Sequence, residues 1–446
     1  MSVLNGVLNV TFALLVAGPL LGQATGPSTT TGPTTTVRPA TSVRAPATLD
    51  ATGTTDVTDG MREFLASIPD RAVVQFPRGA RYRVEGTLEL DDRYGLTFEG
   101  NGATFFATLP GGPERSHWLL SGGAKLVFRD LIVRGAKPTD VSVEAVDGLQ
   151  DQHGFRIDGS YGVELDDVEV TDVYGDFVHL ARGEDDLAAE SIWVHDSLFK
   201  RNGGRGFVAI SARNIVIEKN SIDDTGGATI DLEPNSNIWG VQNVHIIDNR
   251  VAAGGSLFLS SHGNGPVEDV VVSGNQLSDR VLNIDVKPSE DDRRARFYII
   301  DNTSDTQAEL APLRFAQVDG LVIRDNKQPV SSADEPGVVT QGVCGIAIQG
   351  NDFGDAGRAV EIAGEPCEGL AAPADLPPLP QIAGGDGERR AAIGSTATTI
   401  AVADDGDEGA SSWRFVVWAI GGAAALAAGL YLKRYITQAL ARRPVP

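Results

Sequence analysis

One pattern limits what this chain can become: apolar-x-apolar-x-x-Asn, repeated at steps too long for a hairpin and too short for a domain. It reads LTFEGN ending at Asn101, IVIEKN at Asn220, VHIIDN at Asn249, VVVSGN at Asn275, FYIIDN at Asn302, LVIRDN at Asn326 and IAIQGN at Asn351. From Asn220 onward the steps are 29, 26, 27, 24 and 25 residues. LVFRDL, VELDDV and IWVHDS keep the apolar frame without Asn, and second short strands follow most copies, as in GFVAIS, ATIDLE, SLFLSS and VLNIDV. Short alternating strands at a period in the mid-twenties define an all-β solenoid. Each repeat makes one coil of two or three strands, stacked ~4.8 Å above the last. The repeated Asn has a structural task. It stands at a tight bend, where Asn tolerates left-handed geometry, and stacked amides bond one another coil to coil. Asn302-Thr303-Ser304 matches a glycosylation sequon, but its place in this row predicts burial instead of a sugar.

Composition divides the chain around the repeats. Val7–Leu21 is a short apolar run followed by Gly22-Gln23-Ala24, so residues 1–24 read as a secretory signal, although no Lys or Arg precedes the run. Residues 25–48 are Thr/Pro-rich and predict a linker, and 49–368 hold the solenoid. Residues 369–412, acidic and Pro-rich with PADLPPLP, predict a disordered spacer. Phe415–Leu432 carries no charge, has Trp413, Trp418, Tyr431 and Tyr435 near its ends, and is followed by Lys433 and Arg434. That pattern predicts a transmembrane helix over 413–432 and a cytoplasmic basic tail over 433–446. The expected localisation is therefore a single-pass cell-membrane protein with its solenoid outside. A net charge of -23, from 60 acids against 37 bases, excludes loose nucleic-acid binding. Export makes Cys344 and Cys367, about one repeat apart, an expected disulfide, and their spacing matches no zinc pattern.

The segment ATGTTDVTDGMREFLASIPDRAVVQFPRGARYRVEGTLELDDRYGLTFEGNGATF, residues 51–105, resembles the opening of the pectate-lyase-like right-handed parallel β-helix superfamily. The resemblance covers roughly residues 49–368. It implies a single-stranded right-handed parallel β-helix whose open end is plugged by a short helix, here Thr58–Ile68, with Met61, Phe64, Leu65 and Ile68 on one face. It also implies a partner: members of this superfamily commonly bind extended polysaccharide along a rack of outward side chains.

Alternation along the second strands gives the candidate rack. His153, Arg156 and Asp158 come from HGFRIDG; Asp176 and His179 from GDFVHLA; Arg205 and Ser211 from GGRGFVAIS; Asp231 and Glu233 from ATIDLEP; His262 from SLFLSSH; and Asn283, Asp285 and Lys287 from VLNIDVK. Any one of these is explained by a solvated sheet face. Their concentration in consecutive coils marks a site. QHGFRIDGS to VYGDFVHL resembles the polygalacturonase-type glycosidases, but His153 stands where their first aspartate would be, Gly175-Asp176-Phe177 keeps one acid of a pair, and the Arg-Ile-Lys signature is absent. Asp176-Phe177-Val178-His179 is similar to the Asp-Pro-His motif of alginate epimerases, with an extra residue and no Pro. No roles carry over from either. Residues 201–235 resemble a stretch found in uncharacterised secreted β-helix proteins, which implies that Arg205, Asp231 and Glu233 share a site.

The candidate catalytic residues are accordingly Asp231, Glu233, Asp176 and His179, and the candidate substrate-binding residues are Arg156, Arg205, His153, His262 and Lys287. Paired carboxylates suit glycoside hydrolysis. His179 as base beside Arg156, Arg205 or Lys287 suits elimination or C5 epimerisation of a uronate. The residues fix no cofactor, and Asp176, Asp231 and Glu233 offer the clustered oxygens that calcium favours. The leading expectation is a membrane-anchored glycoside hydrolase acting on extracellular polysaccharide. A lyase or epimerase, or a non-catalytic glycan-binding surface protein, is the alternative.

Overall fold

A computed structural model describes residues 41–139, 148–235, 240–289, 292–364 and 370–380. The chain winds as a parallel β-solenoid of about 11 turns with one short helix. One sheet stacks 11 parallel strands, from Leu88–Asp91 to Arg358–Ala363. The remaining strands bend at the Asn position and together form a 21-stranded sheet. Alternation sends every second side chain inward. Val163, Ile192, Ile215, Val244, Val270, Phe297 and Leu321 align on successive coils as one such buried row. The helix Thr58–Ser67 lays Met61, Phe64 and Leu65, with Ile68 just after it, on the N-terminal end of this core, where the sequence places a plug. The fold begins before residue 49: Thr41–Arg44 pairs in parallel with Ala72–Gln75.

The amide row is a continuous ladder. Oδ1 of Asn249 accepts both the backbone N–H and the side-chain amide of Asn220, at 3.0 and 3.1 Å. The same double bond runs from Asn249 to Asn275, Asn275 to Asn302, Asn302 to Asn326 and Asn326 to Asn351. Each amide also donates to a carbonyl on the preceding coil, as Asn275 does to Ile246 O at 2.9 Å. Asn302 is fully buried in this row, which closes its sequon to a sugar.

One detail of the bend differs from expectation. The left-handed residue is not the Asn but the one before it: Lys219, Asp248, Gly274, Asp301, Asp325 and Gly350 have φ of 54°, 54°, 67°, 55°, 56° and 66°. The kink at that position turns the next side chain inward, which is what places each Asn in the ladder. Asn101 is itself left-handed at φ 53° and bonds Phe76 O instead of a second Asn.

Residues 370–380, read from the sequence as spacer, lie along the outer face of the 21-stranded sheet. The Tyr298 hydroxyl donates to Asp375 O at 2.9 Å, and Leu379 packs on Trp193 and Val216. Gly345 is required beneath this strap, since a Cβ there would stand 2.6 Å from Ala371 O. The outward row under the strap, Trp193, Val216, His245, Val271, Tyr298 and Val322, is buried throughout.

The membrane localisation does not stand. No helix among the described residues is long and apolar enough to cross a membrane. The signal over 1–24, the span over 413–432 and the tail over 433–446 lie outside the described residues. Cys344 is disulfide-bonded, and Cys367 lies outside the described residues.

Asn275→Ala removes the acceptor of two buried donors on Asn249. It is expected to lower unfolding free energy in urea by about 2–4 kcal/mol. Asn351→Ala, at the half-exposed end of the ladder, is expected to cost less than half as much.

Candidate functional site

The rack forms on the 11-stranded sheet, where parallel register turns sequence offsets into neighbours. One outward row runs Arg156, His179, Val208, Asp231, Ser260, Asp285, Arg314. His179 and Asp231 therefore stand two coils apart, ~9.6 Å from strand spacing, with Val208 as the floor between them.

Asp176 is the hub of the lower half. It precedes the strand Val178–Ala181 and is 6% exposed. Its Oδ2 lies 2.9 Å from His179 Nδ1, and its Oδ1 accepts the Arg205 backbone N–H at 2.8 Å. A carboxylate only accepts, so His179 donates from Nδ1, and in the neutral ring this tautomer leaves the lone pair on Nε2. His153, 3% exposed, stacks on His179 with ring centroids 4.4 Å apart. Burial and the neighbouring His179 hold His153 below the ordinary imidazole range. Its neutral Nδ1 accepts the Asp176 N–H at 3.0 Å. Burial pushes Asp176 up, but His153 and His179 outweigh it and keep the carboxyl well below the usual range. One coil away, Arg156 Nε donates to Asp158 Oδ2 at 2.8 Å. Asp158 Oδ1 is buried without a hydrogen bond, and burial raises this carboxyl.

The upper half is built around Arg205. Its guanidinium pairs with Asp231 and reaches Glu233 at 3.5 Å. Asp231 is 1% exposed, and burial raises its pKa to about 6 against the pull of Arg205. Asp231 Oδ1 has no hydrogen-bond partner among the described residues. His262 bonds Asp285 at 3.1 Å, and that contact raises the imidazole. Because Asp176 holds the backbone of Arg205 while its side chain holds Asp231, the two halves are one network.

The structure thus joins eight of the nine candidates: His153, Arg156, Asp176, His179, Arg205, Asp231, Glu233 and His262. Lys287 is exposed and has no ion pair among the described residues. Asp158 and Asp285 join the network; alternation had shown their face but not their partners. Between Asp231 and Glu233 stands the Arg205 guanidinium. His153, Asp176 and His179 bring ligand-type atoms within 4.8 Å of one another, but His153 Nδ1 is already engaged by a backbone N–H.

Residues 133–289, which span this site, match the family model described as a right handed beta helix region. The chain has the fold of a right-handed parallel β-helix. It is similar in structure to PfbA, a surface adhesin of Streptococcus pneumoniae, at TM-score 0.50 and 14% identity over 73% of this chain and 93% of that one. It is also similar to a Yersinia enterocolitica Family 28 exopolygalacturonase, at TM-score 0.49 and 11% identity over 74% and 80% of the two chains. An alginate lyase from a Paenibacillus species gives TM-score 0.45 and 13% identity over 73% and 98%. At such identities the likeness is one of fold. No curated protein sequence matches the chain.

Asp176→Asn replaces an acceptor by a donor opposite His179 and the Arg205 amide. Loss of about 3 kcal/mol of stability at pH 7 is expected from urea unfolding. The folded pKa of Asp176 lies below its unfolded value, so its contribution is complete above about pH 4 and fades as pH falls. The gap between wild type and variant should therefore narrow on acidification.

Proposed function

We propose that this β-helix acts on polysaccharide by hydrolysing a glycosidic bond across Val208. Asp231 protonates the leaving oxygen, and His179, oriented by Asp176, takes the proton from the attacking water. The observation that carries this reading is the placement of Asp231. It is a buried carboxyl raised to about 6, two coils along the outward row from a histidine whose Nδ1 is held by Asp176. A separation of ~6.5–9.5 Å between acid and base leaves room for the sugar and the water in an inverting reaction. Arg156, Glu233 and His262 line the same face and supply hydrogen bonds to hydroxyl or carboxylate groups of the chain. Arg205 holds Asp231 in place.

Incubation with a polysaccharide panel is expected to release reducing ends with no absorbance at 235 nm. Since the acid works only when protonated, kcat/KM should fall as pH rises through about 6. Asp231→Asn and His179→Gln should each lower kcat by about 10²–10⁴-fold. Unchanged turnover in both variants would remove the assignment. Growth at 235 nm that depends on His179 would show elimination, and saturable binding without product would show a glycan-binding protein.

A further inference from the structure

The outer face of the 21-stranded sheet carries a second cluster that the polysaccharide rack does not use. Tyr161–Thr171 and Ala189–His195 pair in parallel, with Glu164 opposite Trp193 and Asp166 opposite His195. These are outward positions, since Val163, Leu165, Ile192 and Val194 fill the core between them. Outward polar residues are ordinarily wet, yet Glu164 is 3% exposed and His195 is 1% exposed. The end of the strap contributes to this burial, because Leu379 packs on Trp193, and Trp193 stacks on His195 at a centroid distance of 3.8 Å. Both groups have atoms left over. His195 Nε2 and Glu164 Oε2 are buried without hydrogen-bond partners among the described residues.

The geometry points to a binding site for a divalent transition-metal ion of the zinc type, held by His195 Nε2, Glu164 and Asp166 and completed by water. Three features support it. Asp196 Oδ2 sits 2.8 Å from His195 Nδ1, so a carboxylate holds the imidazole with its second nitrogen aimed at Glu164. This is the arrangement by which metal-ligating histidines are fixed in tautomer and direction. Next, His195 Nε2 stands 3.5 Å from Glu164 Oε1. That is long for a hydrogen bond and close to the ~3.3 Å between two ligands at about 2.0–2.1 Å from a tetrahedral ion. Ligand-type atoms of all three residues lie within 4.8 Å of one another, with Asp166 Oδ1 3.6 Å from the Nδ1 side of the same ring. Charge is the third feature. Glu99, Glu164 and Asp166 surround the guanidinium of Arg129 at 3.6, 3.4 and 3.2 Å, and Asp196 adds a fourth carboxylate against His195. Four carboxylates against one Arg and one imidazole leave an anionic excess that a dication balances. One imidazole nitrogen with carboxylate oxygens suits zinc, cobalt or manganese better than calcium, whose shell is all oxygen. Asp166, partly exposed, gives the ion a path to solvent.

The test is cobalt and zinc titration of the untagged full chain after chelator treatment. Wild type should take up one equivalent of cobalt with a visible d–d band, displaced by zinc. His195→Gln and Asp166→Asn should each weaken binding at least tenfold, and Asp196→Asn by about 10- to 100-fold. His179→Gln should bind as wild type does. Asp166→Asn lies at the exposed edge and keeps the test open if His195→Gln fails to fold. Absence of saturable binding to wild type would show an ion-pair cluster only. Equal binding by wild type and Asp166→Asn, or loss of binding in His179→Gln, would place the ion elsewhere. Each of these three results overturns the proposal.

Discussion

A buried amide that bonds its own image one coil above holds this fold in register. Each Asn from 220 to 351 satisfies a backbone donor on one neighbour and a carbonyl on the preceding coil. A one-residue slip between coils would break several of these bonds at once and turn a strand inside out. The ladder therefore fixes rotation as well as spacing. The opposite sheet inherits that register, and on it Arg156, His179, Val208 and Asp231 fall into one line. Side chains separated by about 25 residues in sequence become neighbours because the bend of every coil is pinned at the same angle.

The polar rack shows how burial converts an ordinary set of residues into a chemical one. Asp176 and Asp231 are both nearly inaccessible, yet they shift in opposite directions. Asp176 meets two imidazoles and a backbone N–H and stays ionised. Asp231 shares one guanidinium with Glu233, keeps an orphan oxygen, and is driven toward its neutral form. Two carboxyls with separated pKa values on one face are what the proposed proton donor and its orienting anion require.

The period, the plug helix and the inward face of each strand were legible because apolar alternation and a recurrent Asn are local signals. The faces of Asp231, His179 and Arg156 were legible for the same reason. Pairings were not. That Asp176 holds the Arg205 backbone while the Arg205 side chain holds Asp231 depends on where Gly175 and Gly204 route the chain before each strand. The left-handed residue was misplaced by one, because Asn, Asp and Gly all tolerate that region and sit side by side. The strap was missed because Ala, Pro and acids carry no periodicity. Its sign lay elsewhere, in the repeats: IVIEKN, VVVSGN and LVIRDN put valine at the outward position, and strands apolar on both faces are covered on both. The Glu164, Asp166 and His195 cluster is hidden similarly, since VELDDV and IWVHDS look in sequence like Asn-free copies of the frame.

The strap also limits how this protein can change over generations. Solenoids lengthen easily, by duplicating a coil whose neighbours accept another copy. Here nine residues, from Ala371 beside Gly345 to Leu379 beside Trp193, lie along the coil axis. An extended Pro-rich chain advances about 3.1 Å per residue and cannot stretch much further. Its span is already matched to the stack beneath it. A coil inserted between Trp193 and Gly345 would pull Leu379 off its seat, so that stretch is held to a fixed coil number, while coils on the N-terminal side of Trp193 are free of the constraint.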